Sequence, residues 1–521
     1  MNTRIKILLF LTFSIHFSVT PQGPPPKRPI YLEELSIKQI QQKYQSGEFT
    51  IQQVVQTYLN RIDRVDKNGP TLESIIMINP DAMKIAAELD KELKAGKSRG
   101  PMHGIPVLLK DNIATHDKMP NTAGSRALAD SYPLEDSFIA SQLRKAGAVI
   151  LGKANLSEWA NFRGKKSTSG WSGIGGLGKN PYVLDRNTCG SSSGSAASVS
   201  ANLTAVAIGT ETNGSIVCPS QTNGVVGFKP TVGLVSRSGV IPISYSQDSP
   251  GPIARSVEDA AILLSVLTGV DKKDDKTTAS KGNIQQDYTK FLKKDGLKGK
   301  RIGVYTGLLG ANKEVDALYM KAVDFMEKQG AVLVKVDKIM DSKVGAYSMK
   351  VMVYEYINGL NDYFKTLGAG SKIKTVEDVI VFNKKDPVEL KYFGQEYLEM
   401  KPGSITNYNK NLKAMHQGSR ENGIDKVMKE NNLDAIIAPT GGPAWKTDLK
   451  NGDSPGISSS SPAAIAGYPN ITVPMGFVGE LPVGISFFGK AWSEPVLLEI
   501  AYAYEQGTHN RKPPKYLKTI D

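Results

Sequence analysis

Cysteine and histidine are scarce in this chain, and both are residues that build catalytic and metal sites. The 521 residues contain two cysteines, Cys189 and Cys218, too few for a framework of several disulfides or for a cysteine metal cluster. Beyond the N-terminal segment the histidines are His103, His116, His416 and His509. No H-E-x-x-H pattern occurs, so a zinc site has no recognisable ligand set. The fold must therefore be held by a hydrophobic core.

The chain also lacks an apolar run long enough to span a membrane comfortably. Its most apolar segment, Ile7 to Ile15, follows Arg4 and Lys6 and is shorter than the roughly 20 residues of a spanning helix. A basic start followed by a short apolar stretch is typical of a secretory signal. We therefore predict a signal peptide at 1–22, a Pro-rich leader at 23–34, and an exported protein, periplasmic or secreted, without stable membrane association after cleavage. An uncleaved anchor is the alternative.

The net charge of +13 reflects an excess of lysine and arginine. In the segments 314–328 and 384–391 the lysines alternate with acids, and no basic stripe interleaved with aromatics appears. This pattern is typical of a soluble surface, so a nucleic-acid partner is not expected.

Apolar periodicity changes along the chain from helical to strand-like. Thr50 to Val65 carries apolar residues at helical spacing, and Thr50 with Gln53 forms a capping box that predicts a helix start. From residue 104, short apolar runs alternate with helices, which indicates an α/β fold: one α/β/α domain with a mixed, mostly parallel central sheet covered by helices. The predicted strands are 105–109, 148–151, 205–208, 301–305, 332–336, 435–438, 471–473 and 483–488. Further helices are predicted at 81–95, 137–146, 256–267, 315–328 and 495–506.

The same patterns predict one large domain with elaborations. Its parts are an N-terminal helical layer at 35–100, a core at 101–270, an insert of the same domain at 271–432 and the C-terminal part of the core at 433–521. Within the insert, 272–300 is polar and predicts a surface excursion, whereas 343–432 is mainly helical with weak strand signals.

Two glycine-rich segments match known motifs only formally. Gly173 to Gly178 fits G-x-G-x-x-G, but no strand precedes it and no helix follows, so no dinucleotide cofactor is predicted. Gly190 to Gly194 fits G-x-S-x-G, the turn that exposes a nucleophilic serine in α/β-hydrolases. A turn-rich loop precedes it where that motif needs a strand, so Ser192 is a weak candidate. A plain Ser/Gly-rich loop is the simpler interpretation.

A third segment, Gly209 to Pro219, follows an apolar run and predicts a tight polar turn ending at Ser215. The backbone N–H groups of such a turn can converge as in an oxyanion hole, although an ordinary turn serine is the alternative. Without a histidine in a suitable context, a lysine must be considered as the base. Lys110 ends an apolar run, and burial there would lower its pKa from ~10.4 by as much as ~3 to 5 units, leaving it neutral near pH 7. A lysine that reaches solvent is the alternative.

Taken together, five ordered segments resemble the motifs of the amidase signature family, within a resemblance that runs from about residue 35 to 510. The segments are 104–112, 190–197, 209–219, 224–231 and 247–252. The resemblance implies the amidase signature fold and a serine hydrolase of amides that uses no cofactor and no metal. It implies Ser215 as nucleophile, Ser191 as the bridging serine and Lys110 as the neutral base. The implied oxyanion donors are the backbone N–H groups of Thr212, Asn213, Gly214 and Ser215.

Two departures from the family pattern point to a subgroup. Cys189-Gly-Ser-Ser-Ser193-Gly replaces the usual Gly-Gly-Ser-Ser-Gly-Gly, and Glu211-Thr-Asn-Gly-Ser replaces Asp-x-Gly-Gly-Ser. With 156–162 and 169–172, these variants resemble the bacterial peptide amidases, which hydrolyse the C-terminal carboxamide of peptides to the acid and ammonia. We expect a monomer that acts on a small-molecule or peptide amide.

Other interpretations remain open at this point. Members of the family act on fatty-acid amides, aryl acylamides or small carboxamides, and a glutaminyl-tRNA amidotransferase subunit would be cytosolic and partnered, which the predicted signal argues against. If Lys110 is charged, an exported amide-binding protein without turnover is the interpretation that fits. An esterase of the α/β-hydrolase type would use Ser192 with His509.

Overall fold

The computed structural model describes residues 30–520, so the predicted signal peptide and the first part of the predicted leader lie outside the described residues. The strands are β1 (Ile75–Ile78), β2 (Pro106–Lys110), β3 (Val149–Ala154), β4 (Trp171–Ser172), β5 (Gly176–Leu177), β6 (Val206–Glu211), β7 (Val226–Lys229), β8 (Ser249–Ala254), β9 (Arg301–Tyr305), β10 (Val332–Val336), β11 (Ala435–Pro439), β12 (Asn470–Val478) and β13 (Leu481–Phe488). The α-helices are α1 (Ile37–Gln45), α2 (Ile51–Arg61), α3 (Ala82–Lys94), α4 (Phe138–Lys145), α5 (Ser193–Ser200), α6 (Val217–Thr222), α7 (Val257–Leu267), α8 (Lys313–Lys328), α9 (Lys343–Lys365), α10 (Val376–Lys385), α11 (Ile405–His416), α12 (Asp425–Glu430), α13 (Ser461–Ala466) and α14 (Glu494–Thr508).

One large mixed sheet organises the molecule, with helices on both of its sides. Its eleven strands follow the order β1-β3-β2-β6-β8-β7-β12-β13-β11-β9-β10. Four neighbouring pairs are parallel, namely β2 with β3, β2 with β6, β9 with β10 and β9 with β11, whereas the other six are antiparallel. The predicted α/β/α fold with a mixed sheet is confirmed, but the expectation that the sheet is mostly parallel is wrong.

Five of the six antiparallel pairs lie between β6 and β11 in the middle of the sheet, and the sixth joins β1 to β3 at one edge. Strands β12 and β13 are joined by only two residues, Gly479 and Glu480, and so short a connection forces a hairpin. Strands β7 and β8, which the sequence analysis missed, pair antiparallel with each other. Strand β8 reads Ser-Pro-Gly-Pro-Ile-Ala, a composition that argues against a central strand. Its Gly251 packs so closely that an added Cβ would lie 2.0 Å from the carbonyl oxygen of Phe228, so tertiary pairing overrides local propensity here.

The predicted capping box at the start of α2 is present. The Thr50 hydroxyl accepts a hydrogen bond from the Gln53 N–H at 3.1 Å, and the Gln53 side chain accepts one from the Thr50 N–H at 2.9 Å. The apolar face of α2 is buried, and each such side chain contributes on the order of 1.5 to 3 kcal/mol. The sequence pattern continues to Val65, whereas α2 ends at Arg61 and a π-helical turn follows at Ile62–Lys67.

The segment 343–432 is helical, as predicted, and none of the described strands falls within it. Its long helix α9 packs against aromatic side chains of the core, among them Trp159 and Phe162. Over residues 30–520, no helix is both long and apolar enough to cross a membrane.

Candidate active site

Lys110 stands at the end of β2, where the neighbouring parallel strand β6 also ends. Its side chain is fully buried. The Nζ atom donates to the Ser191 hydroxyl at 2.7 Å, to the Thr210 hydroxyl at 2.9 Å and to the Thr210 carbonyl oxygen at 3.1 Å. The lysine predicted as base therefore contacts the serine predicted as the bridging residue, and it does not reach solvent.

Burial sets the protonation of this lysine. Removal from water lowers the pKa of Lys110 to about 7, although the carboxylates of Asp248 and Glu211 act in the opposite direction. Near pH 7 the Lys110 side chain is therefore neutral in a substantial fraction of the molecules. In that form its nitrogen has a lone pair that can accept a proton. The nearest hydroxyl for that purpose belongs to Ser191.

Two neighbouring serines of the Ser/Gly-rich run at 189–198 have different hydrogen-bond partners. Ser191 is fully buried, follows a cis peptide bond from Gly190, and receives the Lys110 hydrogen bond. The hydroxyl of Ser192 instead donates to the Thr210 carbonyl oxygen at 3.0 Å and accepts from the Thr210 N–H at 3.1 Å. Ser192 is thus held against backbone, and no hydrogen bond joins it to His509 within the described part of the chain. The geometry does not support the esterase interpretation.

Ser215 lies in the turn between β6 and α6, and only 8% of it is exposed. Gly214 adopts a left-handed backbone angle of φ +84°, which favours glycine at this position. In the described residues, the backbone N–H groups of Thr212, Asn213, Gly214 and Ser215 donate to no protein acceptor. Thr212, Gly214 and Ser215 are buried, where N–H groups are almost always paired, whereas Asn213 is exposed. This turn therefore presents a cluster of donors suited to an oxyanion.

The chain after Ser215 is fixed by Glu211, one of the departures from the family pattern. Its buried carboxylate accepts the N–H groups of Ile216 at 2.8 Å and Val217 at 3.0 Å, at the start of α6. A carboxylate at a helix N-terminus is favourable because it satisfies otherwise unpaired donors. Glu211 thus anchors the turn from its C-terminal side.

One disulfide bond and one backbone hydrogen bond join the segments that carry Ser191 and Ser215. Cys189 and Cys218 form a disulfide, with Cα atoms 5.9 Å apart. The Ser192 N–H donates to the carbonyl oxygen of Ser215 at 3.1 Å. The Cys189–Cys218 disulfide was not predicted from the sequence, although each cysteine lies within three residues of a predicted catalytic serine. That shared proximity was the signal available for it.

The glycine-rich segment 173–178 is part of a loop held by a buried ionic cluster. Arg163 donates to Glu158 at 2.7 Å and to Glu389 at 3.0 Å, and all three side chains are buried. The Gly173 N–H donates to the other oxygen of Glu158 at 2.7 Å. Burial raises the pKa of Glu158.

Residues 30–520 contain no group of three or more His, Cys, Asp or Glu side chains that could hold a metal ion.

Comparisons with known proteins identify relatives that match most of this chain. The sequence pattern of the family described as Amidase matches residues 53–498. A probable amidase of Arabidopsis thaliana is 42% identical over 93% of this chain and 92% of its own length. The solved peptide amidase of Stenotrophomonas maltophilia is 46% identical, with a TM-score of 0.89 over 94% of this chain and 100% of that chain. A solved amidase family protein of Bacillus anthracis is 36% identical, with a TM-score of 0.85 over 93% of this chain and 92% of that one.

Proposed function

Because this chain belongs to the amidase signature family and is therefore a hydrolase of amide C–N bonds, we propose that it removes the C-terminal carboxamide of peptides by means of Ser215, Ser191 and Lys110. The products are the peptide acid and ammonia. Ser215 is the nucleophile, Ser191 relays the proton and neutral Lys110 is the base.

The observation that carries this assignment is the short contact between Lys110 Nζ and the Ser191 hydroxyl, across which the neutral amine can accept the serine proton. It is 2.7 Å long and lies in a fully buried site, where charging the lysine is unfavourable. An ammonium on an exposed surface would stay protonated near pH 7 and could not act as a base. A buried amine beside a serine hydroxyl has the pKa and the contact that general base catalysis requires.

We infer the reaction from the Lys110–Ser191 contact and from the roles that the family resemblance implies for Ser191 and Ser215. Lys110 accepts the proton of Ser191 while Ser191 accepts that of Ser215, and the Ser215 oxygen bonds to the amide carbon. The carbonyl oxygen becomes negative and is bound by the free N–H groups of the turn at 212–215. Lys110 then returns the proton through Ser191 to the nitrogen, the C–N bond breaks and ammonia leaves. Water attacks the resulting ester by the same proton path and releases the acid.

The choice of a peptide amide rests on similarity. The solved structure with 46% identity is a peptide amidase. This chain also carries the variant motifs around Cys189 and Glu211 that suggested that subgroup. Fatty-acid amides, aryl acylamides and small carboxamides are the competing substrate classes.

A substrate panel tests the proposal. We expect the purified enzyme to release ammonia from dipeptide and tripeptide amides faster than from free amino-acid amides, a fatty-acid amide or an anilide. Ser215→Ala is expected to abolish release and to stay folded, because the side chain loses only one hydroxyl. Faster turnover of any other class in the panel would contradict the peptide-amide assignment, and an active Ser215→Ala variant would contradict the nucleophile.

We also propose that the protein is exported and works as a monomer. The basic and short apolar start of the sequence supports export, and so does the Cys189–Cys218 disulfide, because such bonds persist in oxidising compartments. Mass measurement of the protein recovered from the exported fraction would reveal a lost N-terminal segment. Light scattering on the same sample would reveal an oligomer if one forms.

A further inference from the structure

The Gln247–Asp248 motif lies beside the turn at 212–215 but has no part in the reaction described so far. These two residues end a loop, Ile243–Asp248, that we call the bridging loop because it runs between this turn and helix α9. Gln247 is fully buried and Asp248 is 8% exposed. Both side chains contact Thr212, the first residue of the turn.

Asp248 holds the side chain of Thr212. One carboxylate oxygen accepts the Thr212 hydroxyl at 2.5 Å. The other accepts the N–H groups of Ile243 at 2.8 Å and Ser244 at 2.9 Å, within the bridging loop itself. The Asp248 carboxylate therefore links the bridging loop to the turn, and both of its oxygens accept hydrogen bonds.

Gln247 holds the main chain of Thr212. Its amide nitrogen donates to the Thr212 carbonyl oxygen at 3.2 Å. Its amide oxygen accepts the hydroxyl of Ser348 on α9 at 2.7 Å, which fixes the orientation of the amide. Because a peptide bond is planar and trans, the carbonyl of Thr212 and the N–H of Asn213 point in opposite directions. Whatever fixes the carbonyl of Thr212 therefore also aims the Asn213 N–H.

The bridging loop is fastened to the helical segment at a second point. Glu355 on α9 accepts the Ser246 hydroxyl at 2.5 Å and the Ser246 N–H at 3.1 Å. The same carboxylate accepts the hydroxyl of Tyr408 on α11 at 2.7 Å. The bridging loop is thus hydrogen-bonded to α9 and to the turn, so a shift of α9 would also move the turn.

We propose that Gln247 is a positioning residue whose amide, oriented by Ser348, aims the Asn213 N–H at the negative oxygen formed during amide hydrolysis. This inference rests on the proposed function. The hydrogen bonds of the Gln247 side chain go to Thr212 and Ser348 and not to Ser215, so it acts through the Thr212–Asn213 peptide unit. Loss of its hydrogen bond frees that unit to rotate, and the donor is then misaligned when the oxygen becomes charged.

The test compares Gln247→Met with Gln395→Met. Gln395 is a matched control, since it is also buried and also bridges two groups, but its partners Asn383 and Glu399 lie in the helical segment away from the turn. Loss of an entire oxyanion donor lowers kcat by about 10²- to 10³-fold, so a misaligned donor in Gln247→Met is expected to lower kcat by about 10- to 100-fold. KM is expected to change by less than about threefold, because the donor acts mainly on the transition state. Gln395→Met is expected to keep kcat while its Tm falls.

A peptide aldehyde separates positioning from simple loss of structure. Ser215 adds to the aldehyde carbon, its proton moves by way of Ser191 to Lys110, and the aldehyde oxygen becomes the charged group that the turn binds. Gln247→Met is expected to weaken aldehyde binding by the same factor as kcat and to leave binding of the product peptide acid unchanged. An equal loss for both ligands, or an unchanged kcat in the folded variant, overturns the proposal.

Ser348→Ala provides a second variant if Gln247→Met does not fold. Loss of one hydrogen bond that orients Gln247 is expected to lower kcat by about three- to tenfold at constant KM. An unchanged kcat in folded Ser348→Ala overturns the role of the bridging loop. A wild-type enzyme that releases no ammonia from any amide in the panel contradicts the proposed function instead, so the two failures are distinguishable.

Discussion

Lys110 and Lys153 end similar apolar runs on the adjacent parallel strands β2 and β3, yet they lie in different surroundings. Both are fully buried, and burial lowers the pKa of each. In the register of β2 and β3, Lys153 pairs with Leu109 and Ala154 pairs with Lys110. Paired residues point to the same face and successive residues to opposite faces, so the two lysines lie on opposite faces of the sheet. On its face Lys110 meets the hydroxyls of Ser191 and Thr210.

Lys153 meets different partners on the other face. It donates to the carbonyl oxygen of Ile113 at 2.5 Å and to the side-chain oxygen of Asn121 at 3.3 Å. The carboxylate of Asp111 acts on its pKa in the upward direction, and burial in turn raises the pKa of Asp111 to about 6. None of these partners is a hydroxyl that could pass on a proton. Burial of a lysine is thus not enough for a base, and the group that it contacts decides its role.

The largest expected effect comes from replacing each lysine by methionine. Lys110→Met removes the proposed proton acceptor and is expected to lower kcat by about 10²- to 10⁴-fold. Lys153→Met is expected to leave kcat within about tenfold, but to lower the free energy of unfolding by about 1 to 3 kcal/mol because the Ile113 carbonyl loses its partner. Steady-state kinetics and urea unfolding of both variants measure the two effects. Equal losses of kcat would remove the distinction between the lysines.

The pH dependence is expected to follow Lys110 rather than Lys153. In the proposed mechanism neutral Lys110 is the active form. Burial lowers the pKa of Lys110 to about 7, so kcat/KM is expected to be high above that pH and to fall as the pH drops through it. The fall approaches about tenfold per pH unit in acid. The Lys153→Met enzyme is expected to show the same profile as the wild type. A profile that stays flat from about pH 8 to about pH 5, a range that brackets the expected pKa of Lys110, would contradict a lysine base.

The smallest effect is expected from Thr210→Val, which removes one of the partners that orient Lys110. The Thr210 hydroxyl accepts from Lys110 at 2.9 Å and from Asn112 at 3.0 Å. Loss of one oriented hydrogen bond is expected to lower kcat by about three- to tenfold. Thr204→Val is the matched control, because the Thr204 hydroxyl binds the Pro106 carbonyl oxygen at 3.0 Å, at the other end of the same two strands. An equal loss of kcat in both variants would indicate strand packing as the cause.

Several local elements could be predicted closely from the sequence. The predicted strands 301–305 and 332–336 have the bounds of β9 and β10, and the capping box at Thr50 starts α2. These features depend on residues a few positions apart, where side-chain periodicity and caps act directly. Strand β8 was missed because its prolines and glycine are unfavourable locally, and only pairing with β6 and β7 makes it a strand.

By itself the sequence determined the residue types of the candidate site: a lysine at the end of an apolar run, and serines in two glycine-containing turns. Only the tertiary structure decided that Lys110 contacts Ser191 across 81 positions of sequence and Thr210 across 100. It also decided that Lys153 points away from them, that Cys189 pairs with Cys218, and that Gln247 holds Thr212. The physical reason is that burial, hydrogen-bond partners and the face of a sheet depend on neighbours in space, which no local pattern specifies.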